Sequence, residues 1–539
     1  MPSQPKIRVA VAPATEYEVR RRLFDMLSSQ LEVSFEPHTP CDYEGLQGLI
    51  ALTGAAADAA REASLHNVSC CEVILSQPVA SEAPSAITFT SSAVVHRAFR
   101  GKTLTDPSEI NFSQVSDAFE SLAKVGEQTV WAVKQQGHQE HHCVGVDIPV
   151  FTERDFFHNH FREQRWFAML PLLHFLRRLL GPNGWPAAEP RASFIIDDPN
   201  LHHRSYGYID FEKLAKHAAA HNYHATIATV PLDAWYFDRK VVDLFQTHKN
   251  HISLMMHGVN HVADELARSY QEQDALSLLA TGLRRIADLE SRSGVSVARV
   301  MAAPHGAFAE FIADLMLRLG YESACVSIGS LLRWNPEKLW PANLGFSMAQ
   351  PLGSLNFPVF HRIGISEADI RLKTFLGHPV IVATHHQDCI SNFARLESMA
   401  NIINETTDVR WMGIEQISTT NFEFRMQNGR LRIWPYSRHF IVPLSPEISE
   451  VEVCHSPYSG GFTIDLRNYR PDGTEAAVHN IPARHRISKN TIEIFFPPSN
   501  ALDYHQVESK GVGLWPVVRR LLTEARDRTQ PILSLASAR

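Results

Sequence analysis

Short apolar runs and stretches of helical period alternate along most of the chain. Up to about residue 150, runs such as "IRVAVAP", "GLIAL", "CEVILS", "TVWAVK" and "CVGVDIPV" are interleaved with segments such as "EYEVRRRLFDMLSSQL". That alternation predicts an N-terminal α/β domain with parallel strands over residues 1–150. The amphipathic, aromatic-rich "FFHNHFREQRWFAMLPLLHFLRRLL" predicts a helix within a linker over 151–190, closed by "GPNGWPAAEP", whose Gly and Pro mark a boundary. From 191 to 415 the alternation resumes as "ASFIID", "ATIATV", "HISLMMHG", "RVMAAPHG", "SACVSIG" and "PVIVATHH", with a long helical stretch ending at Gly294. This predicts a second α/β domain. Then "RLRIWPYSRHFIVPL", "ISEVEVCHS", "GFTIDLRNY" and "TIEIFFPP", divided by the turn signals "NG", "SGG" and "PDG", predict a β-sandwich-like module over 416–510. Residues 511–539 read as a helical tail.

Composition narrows the function classes. The 539 residues are 44% hydrophobic and 20% charged with a formal net charge of -7, which excludes the low hydrophobicity of disorder and lacks the basic excess that nucleic-acid binding favours. The N-terminus has no basic head followed by an apolar core and cleavage site, and no apolar run is long enough to span a bilayer. A cytoplasmic protein is expected. The 7 cysteines are scattered without a Cys-x-x-Cys pair, which fits reduced thiols and gives no cysteine-rich zinc site. Cys70 and Cys71 lack the glycine-flanked elbow of a nucleophile, so no catalysis is assigned to the N-terminal domain.

Histidine is the unusual residue, at 28. His138 and His142 form one His-x-x-x-His pair in the polar "QQGHQEHHC", which reads as a solvated loop. His217 and His221 share a helix face with no acidic partner adjacent, and read as surface residues. His257 and His261 differ, because an apolar strand runs straight into them. Asp197 and Asp198 close an earlier strand, Pro304, His305 and Gly306 a later one, and His385 and His386 another. C-terminal strand ends of parallel sheets face the crevice where α/β proteins place their chemistry.

Two adjacent carboxylates at such a place repel, and in a low-dielectric crevice they need a cation or a raised pKa. In isolation, Asp-Asp-Pro-Asn reads as a turn with a helix cap. With the three other strand ends, Asp198, His257 and His261 form a two-imidazole, one-carboxylate set of the kind that holds catalytic Zn²⁺ with an open fourth position. Asp197 is then left beside it to take a proton from water.

These motifs resemble those of the NodB-type polysaccharide deacetylases of carbohydrate esterase family 4. "FIIDDPN" resembles the first motif, which implies Asp197 as general base and Asp198 as metal ligand. "HGVNH" resembles the second and implies His257 and His261 as metal ligands. "AAPHG" resembles an altered third motif, and "IVATHHQD" the strand ending in the acid histidine, His385. The resemblance covers about residues 190–400 and implies a deformed parallel (β/α) barrel, one divalent metal ion such as Zn²⁺, and removal of an acetyl group from an N-acetylated or O-acetylated sugar or glycan. Gly258 stands where Ser or Thr is usual, Ala302 where the third motif has Arg, and no Asp-x-x-Asp-Trp follows "LGYESACVSIG". His305, Gly306, His202 and His386 are expected near the pocket. Two rival readings share the scaffold: an amide or ester hydrolase of a non-sugar substrate, and a carbohydrate-binding or assembly protein that has lost turnover. Trp434, Tyr436 and Tyr458 in the β-module read as core or seam rather than as a sugar platform.

Overall fold

The computed structural model describes residues 6–52, 57–75, 84–111, 116–185, 188–466, 483–488, 490–511 and 513–537. It is a mixed α/β protein that divides into two compact units, one of residues 1–187, 339–347 and 371–376, the other of the remainder. The turn signal "PDG" falls outside the described residues. Among the described residues no helix is long and apolar enough to cross a membrane.

The first unit holds a nine-stranded sheet that is parallel, as expected, over only part of its width. Val33–Pro37, Ile7–Ala12, Gly48–Leu52, Ser69–Val73 and Gln139–Val144 run parallel side by side. Beyond them Gln128–Gln136, Glu120–Val125, Ser85–Phe89 and Thr103–Asp106 continue antiparallel. The reason is local. Val125 pairs Gln128 and Gln136 pairs Gln139, so Gly126-Glu127 and Gly137-His138 are two-residue hairpin loops, each opened by a glycine at positive φ. His138 therefore lies in a tight turn. His142 is not in a solvated loop but buried on a strand, where Trp131 Nε1 donates to its Nδ1 at 3.2 Å and Glu140 lies 3.0 Å from its Nε2.

The helix expected from Phe156 begins only at Leu170 and runs to Gly184. Upstream, the Asp106 carboxylate accepts the backbone N–H groups of Trp166 and Phe167 at 2.6 and 2.9 Å. Those groups are held by a carboxylate instead of a helical carbonyl, and Pro171 suits the first turn of the helix that begins at Leu170.

The second unit is built on parallel strands: β1 Arg191–Asp197, β2 Ala225–Thr229, β3 Ile252–His257, β4 Val297–Ala302, β5 Ser323–Val326, β6 Phe357–His361 and β7 Val380–His385. Their order is β6-β5-β4-β3-β2-β1-β7, every neighbouring pair parallel. Ala349–Leu352 adds an antiparallel edge to β6. Just past β6, an isolated bridge joins Ile363 to Val382 of β7. Among the helices of this unit are α1 Phe211–Ala220, α2 Ala394–Thr406 and α3 Leu514–Ser537. The long helix predicted to end at Gly294 does so, spanning Glu272–Ser293 with Gly294 left-handed at φ 75°.

One apolar cluster contains Ile195, Met255 and Ile381 from β1, β3 and β7. Side chains alternate along a strand, so Asp197, His257 and His385, each an even number of residues further on, face the same way at the strand ends.

Downstream, Phe422–Gln427, Arg430–Pro435, Glu450–Val453 and Phe462–Asp465 form a four-stranded sheet, and His439–Pro443, Thr491–Phe495 and Arg484–Ile487 a three-stranded one. Ile433, Val451 and Ile464 of the first sheet and Phe440, Val442 and Ile494 of the second share one buried cluster. Tyr458 is buried in the cluster of β1–β7, and Tyr436 packs against it. The guanidinium groups of Arg425 and Arg432 lie 5.0 and 4.9 Å from the Trp434 ring.

Candidate active site

β1 ends on Asp197, and the chain turns at once through Asp198 at φ 88°. That left-handed conformation is one Asp tolerates better than most side chains, and the turn sends the carboxylate toward the end of β3. His257 closes β3, and His261, also left-handed at φ 55°, follows it.

The three side chains converge. Asp198 Oδ1 lies 2.9 Å from His261 Nε2 and 3.6 Å from His257 Nε2. One ligating atom from each of the three lies within 4.8 Å of the others. His257 Nδ1 donates to the Ala302 carbonyl of β4 at 2.9 Å, which fixes the tautomer and leaves Nε2 toward Asp198. Burial pushes the His257 imidazole down to about 4, against the pull of Asp197. Burial also opposes ionisation of Asp198, yet the hydrogen bond from His261 and the charges of His257 and Arg520 hold it well below the usual carboxylate range.

Asp197 Oδ1 is a buried oxygen with no hydrogen-bond partner among the described residues, and Asp198 Oδ1 faces the two imidazole nitrogens. Such oxygens are costly unless a cation faces them. Two imidazole nitrogens and one carboxylate oxygen fit a divalent ion of the Zn²⁺ type.

Asp197, 2% exposed, is gripped on its other oxygen. Arg362 Nη1 donates to Asp197 Oδ2 at 2.8 Å, from the residue that follows β6. The motifs offer no arginine for this carboxylate, because Ala302 holds the position where one is usual. The structure supplies one from a different strand.

The glycine of the second motif also has a cause. Gly258 sits at φ 61°, and a Cβ there would meet Glu265 Oε1 at 2.1 Å and Pro304 Cγ at 2.5 Å. Glu265, buried, accepts the backbone N–H groups of Val259, Asn260 and His261 at 2.7, 3.0 and 3.0 Å. One carboxylate thereby ties the whole turn that presents His261.

The remaining expected residues divide. His385 is the Cα partner of Asp197 across β1 and β7 and is exposed. Its backbone N–H donates to Asp388 Oδ2 at 2.9 Å, and its ring caps the following turn. His305, at φ 54°, stands with its ring 5.3 Å from that of His261. Gly306 is left-handed, and a Cβ there would meet Ser330 Oγ at 2.2 Å. His202 is committed at both ring nitrogens, to the Asp233 carbonyl at 2.9 Å and to Glu524 at 3.3 Å. His386 is buried beside the rings of Tyr206 and Tyr208, 3.6 Å from Asp527.

Glu524 and Asp527 belong to α3, which reads from sequence only as a tail. Arg520 of α3 donates to Asp233 Oδ2 at 2.7 Å and to the Asp198 carbonyl at 2.5 Å. Arg519 donates to the His261 carbonyl, and Arg528 to Asn200 Oδ1 at 3.0 Å. The helix thus braces the backbone of both turns that carry the cluster. Hydrophobic period alone says that a helix forms, not which turn it braces.

Among solved structures the chain resembles those of carbohydrate esterase family 4. A family 4 carbohydrate esterase from Streptomyces lividans in complex with acetate is 12% identical, with 42% of this chain and 93% of that one covered at a TM-score of 0.26. A CE4 esterase from Streptococcus mutans is 16% identical over 42% and 87% of the two chains, TM-score 0.25. A variant of the peptidoglycan deacetylase PdaC from Bacillus subtilis is 10% identical over 41% and 95%, TM-score 0.20. No family model and no curated protein matches the chain.

Proposed function

We propose that the chain is a metal-dependent hydrolase that removes an acetyl group from an N-acetylated or O-acetylated sugar or glycan. The observation that carries this reading is the convergence of Asp198, His257 and His261 on one point, with the buried carboxylate of Asp197 beside them and one of its oxygens unbonded. We read the β1–β7 sheet as a deformed (β/α) barrel, its ring completed by the bridge at Ile363, and the two sheets beyond Thr420 as a sandwich.

Asp198, His257 and His261 would hold the ion, which we take to be Zn²⁺ from its imidazole-rich ligand set. When bound, the ion supplies Lewis-acid polarisation of the acyl oxygen and acidifies water. Asp197 takes the proton of the attacking water through Oδ1, while Arg362 fixes the carboxylate through Oδ2. His257 keeps its ligating nitrogen free because its other nitrogen is tied to Ala302. His385, next to Asp197 on the same face, gives a proton to the departing amine or alkoxide. His305 lines the approach to His261. The acetylated sugar is the substrate class that the resemblance in motif order supports.

Metal removal with EDTA, followed by assay on a panel of acetylated sugars and simple acyl esters, tests the reading. Sugar deacetylation that vanishes with EDTA and returns with Zn²⁺ supports it. Asp197→Ala should retain metal and lose most turnover. Glycan binding without turnover, unchanged by EDTA, would instead establish the binding-protein reading.

A further inference from the structure

On sequence alone His217 and His221 are surface histidines with no acidic partner. The fold corrects that, because it brings Glu397 of α2 to them from 176 residues or more along the chain. We infer that His217, His221 and Glu397 form a second divalent-metal site, structural in kind, that staples α1 to α2.

Helical spacing does the first part. Residues four apart share a face, and the two imidazoles stand stacked with ring centroids 4.1 Å apart. His217 lies in the last turn of α1 and His221 at its C-cap, and Glu397 in the first turn of α2. The ligating atoms of all three lie within 4.8 Å of one another.

The spacing leaves room for an ion between the donors. His217 Nε2 is 3.6 Å from Glu397 Oε2, and His221 Nδ1 is 3.4 Å from Oε1. A direct charge-assisted hydrogen bond closes to about 2.7–2.9 Å, as His141 does with Glu72 at 2.8 Å in the first unit. Tetrahedral donors at about 2.0–2.1 Å from Zn²⁺ sit about 3.4 Å apart. Both separations here, each to a different oxygen of the Glu397 carboxylate, are of that size.

The surroundings hold the donors for it. Tyr223 OH lies 3.0 Å from His217 Nδ1, which leaves Nε2 toward Glu397. The Phe393 ring packs 5.3 Å from the His217 ring. Asn404, also on α2, donates to the Asn222 carbonyl at 3.2 Å and so fixes the end of α1 against α2. The side chain of His217 is nearly enclosed while His221 and Glu397 are about one-third exposed, so an ion has a path in. The site shares no residue with Asp198, His257 and His261. α1 follows β1 and α2 follows β7, so the staple ties together the helices behind the two strands that carry Asp197 and His385.

Titration of the EDTA-stripped full chain with Zn²⁺ alone, scored by calorimetry and by thermal melting, tests this. His257→Ala/His261→Ala should keep about one equivalent of Zn²⁺ and gain several degrees of melting temperature from it. Adding His217→Ala/His221→Ala should abolish both, and the conservative Glu397→Gln should weaken binding about 10–100-fold with the fold intact by circular dichroism. If Zn²⁺ binding and the melting shift survive both Glu397→Gln and His217→Ala/His221→Ala, the site does not exist. If the Asp198 cluster binds nothing, the wild type still takes one equivalent, and that one disappears with His217→Ala/His221→Ala.

Discussion

Arg362 Nη1 holds Asp197 Oδ2 at 2.8 Å, although 165 residues separate them and the arginine comes from the strand end after β6. The carboxylate is 2% exposed, and its second oxygen is unbonded. A guanidinium on one oxygen both neutralises the charge and fixes the plane of the other. Arg362 is therefore a positioning residue for Asp197. Arg362→Gln should lower kcat about 10–100-fold with KM and metal content little changed. Steady-state kinetics with metal analysis reads this, and an unaltered kcat would remove Arg362 from the proposed machinery.

Arg520 carries a second long-range support. It is buried, and it bonds the Asp233 carboxylate and the Asp198 carbonyl together. Arg520→Ala leaves Asp233 buried and uncompensated, which costs about 3–5 kcal/mol. Urea unfolding should show that loss, and Zn²⁺ affinity should fall with it because the Asp198 turn loses its brace.

Gly258 cannot accept a side chain where it stands. Gly258→Ser forces a Cβ into Glu265 Oε1 at 2.1 Å at a φ of 61°, so Glu265 must release the N–H groups of the His261 turn. A destabilisation of about 1–3 kcal/mol is expected from the backbone alone. Metal affinity should fall as well, and equilibrium dialysis would detect it.

In the downstream module, His439 bridges Glu322 at 3.2 Å and Glu493 at 2.9 Å. The hydrogen bond and charge of Glu322, aided by Glu493 and opposed by burial, raise its pKa above the ordinary imidazole value. A raised pKa means that the folded protein holds the proton more tightly than the unfolded chain. The stabilisation is fully present below about pH 6.5 and is lost as pH rises through the raised value. Unfolding free energies of wild type and His439→Gln should therefore differ in mild acid and converge in alkali.

The cluster of Asp198, His257 and His261 is legible in the sequence because each member sits at the end of an apolar run, within a few residues of its partner or its strand. Six of the seven parallel strands are visible for the same reason. β6 is not: "FPVFH" carries Pro358, which argues against a strand, and with β6 goes Arg362. Glu265 and Arg520 are unreadable for another reason. Each acts by donating to or accepting from backbone groups, and backbone partners leave no trace in side-chain pattern. Glu397 is hidden by separation, since nothing in α1 announces α2. The N-terminal sheet is only half legible because two-residue glycine loops turn an apparent α/β alternation into hairpins.

The position of α3 in the chain bears on how the protein is made. Synthesis runs from the N-terminus, and domains fold as they emerge, so β1 to β7 leave the ribosome well before Arg519 and Arg520. The turns carrying Asp198 and His261 must wait for those last side chains before their carbonyl groups are satisfied. A polypeptide cut short before Leu514 would possess every proposed ligand and still lack the clasp that sets them, and its defect would be one of maturation, not of missing chemistry.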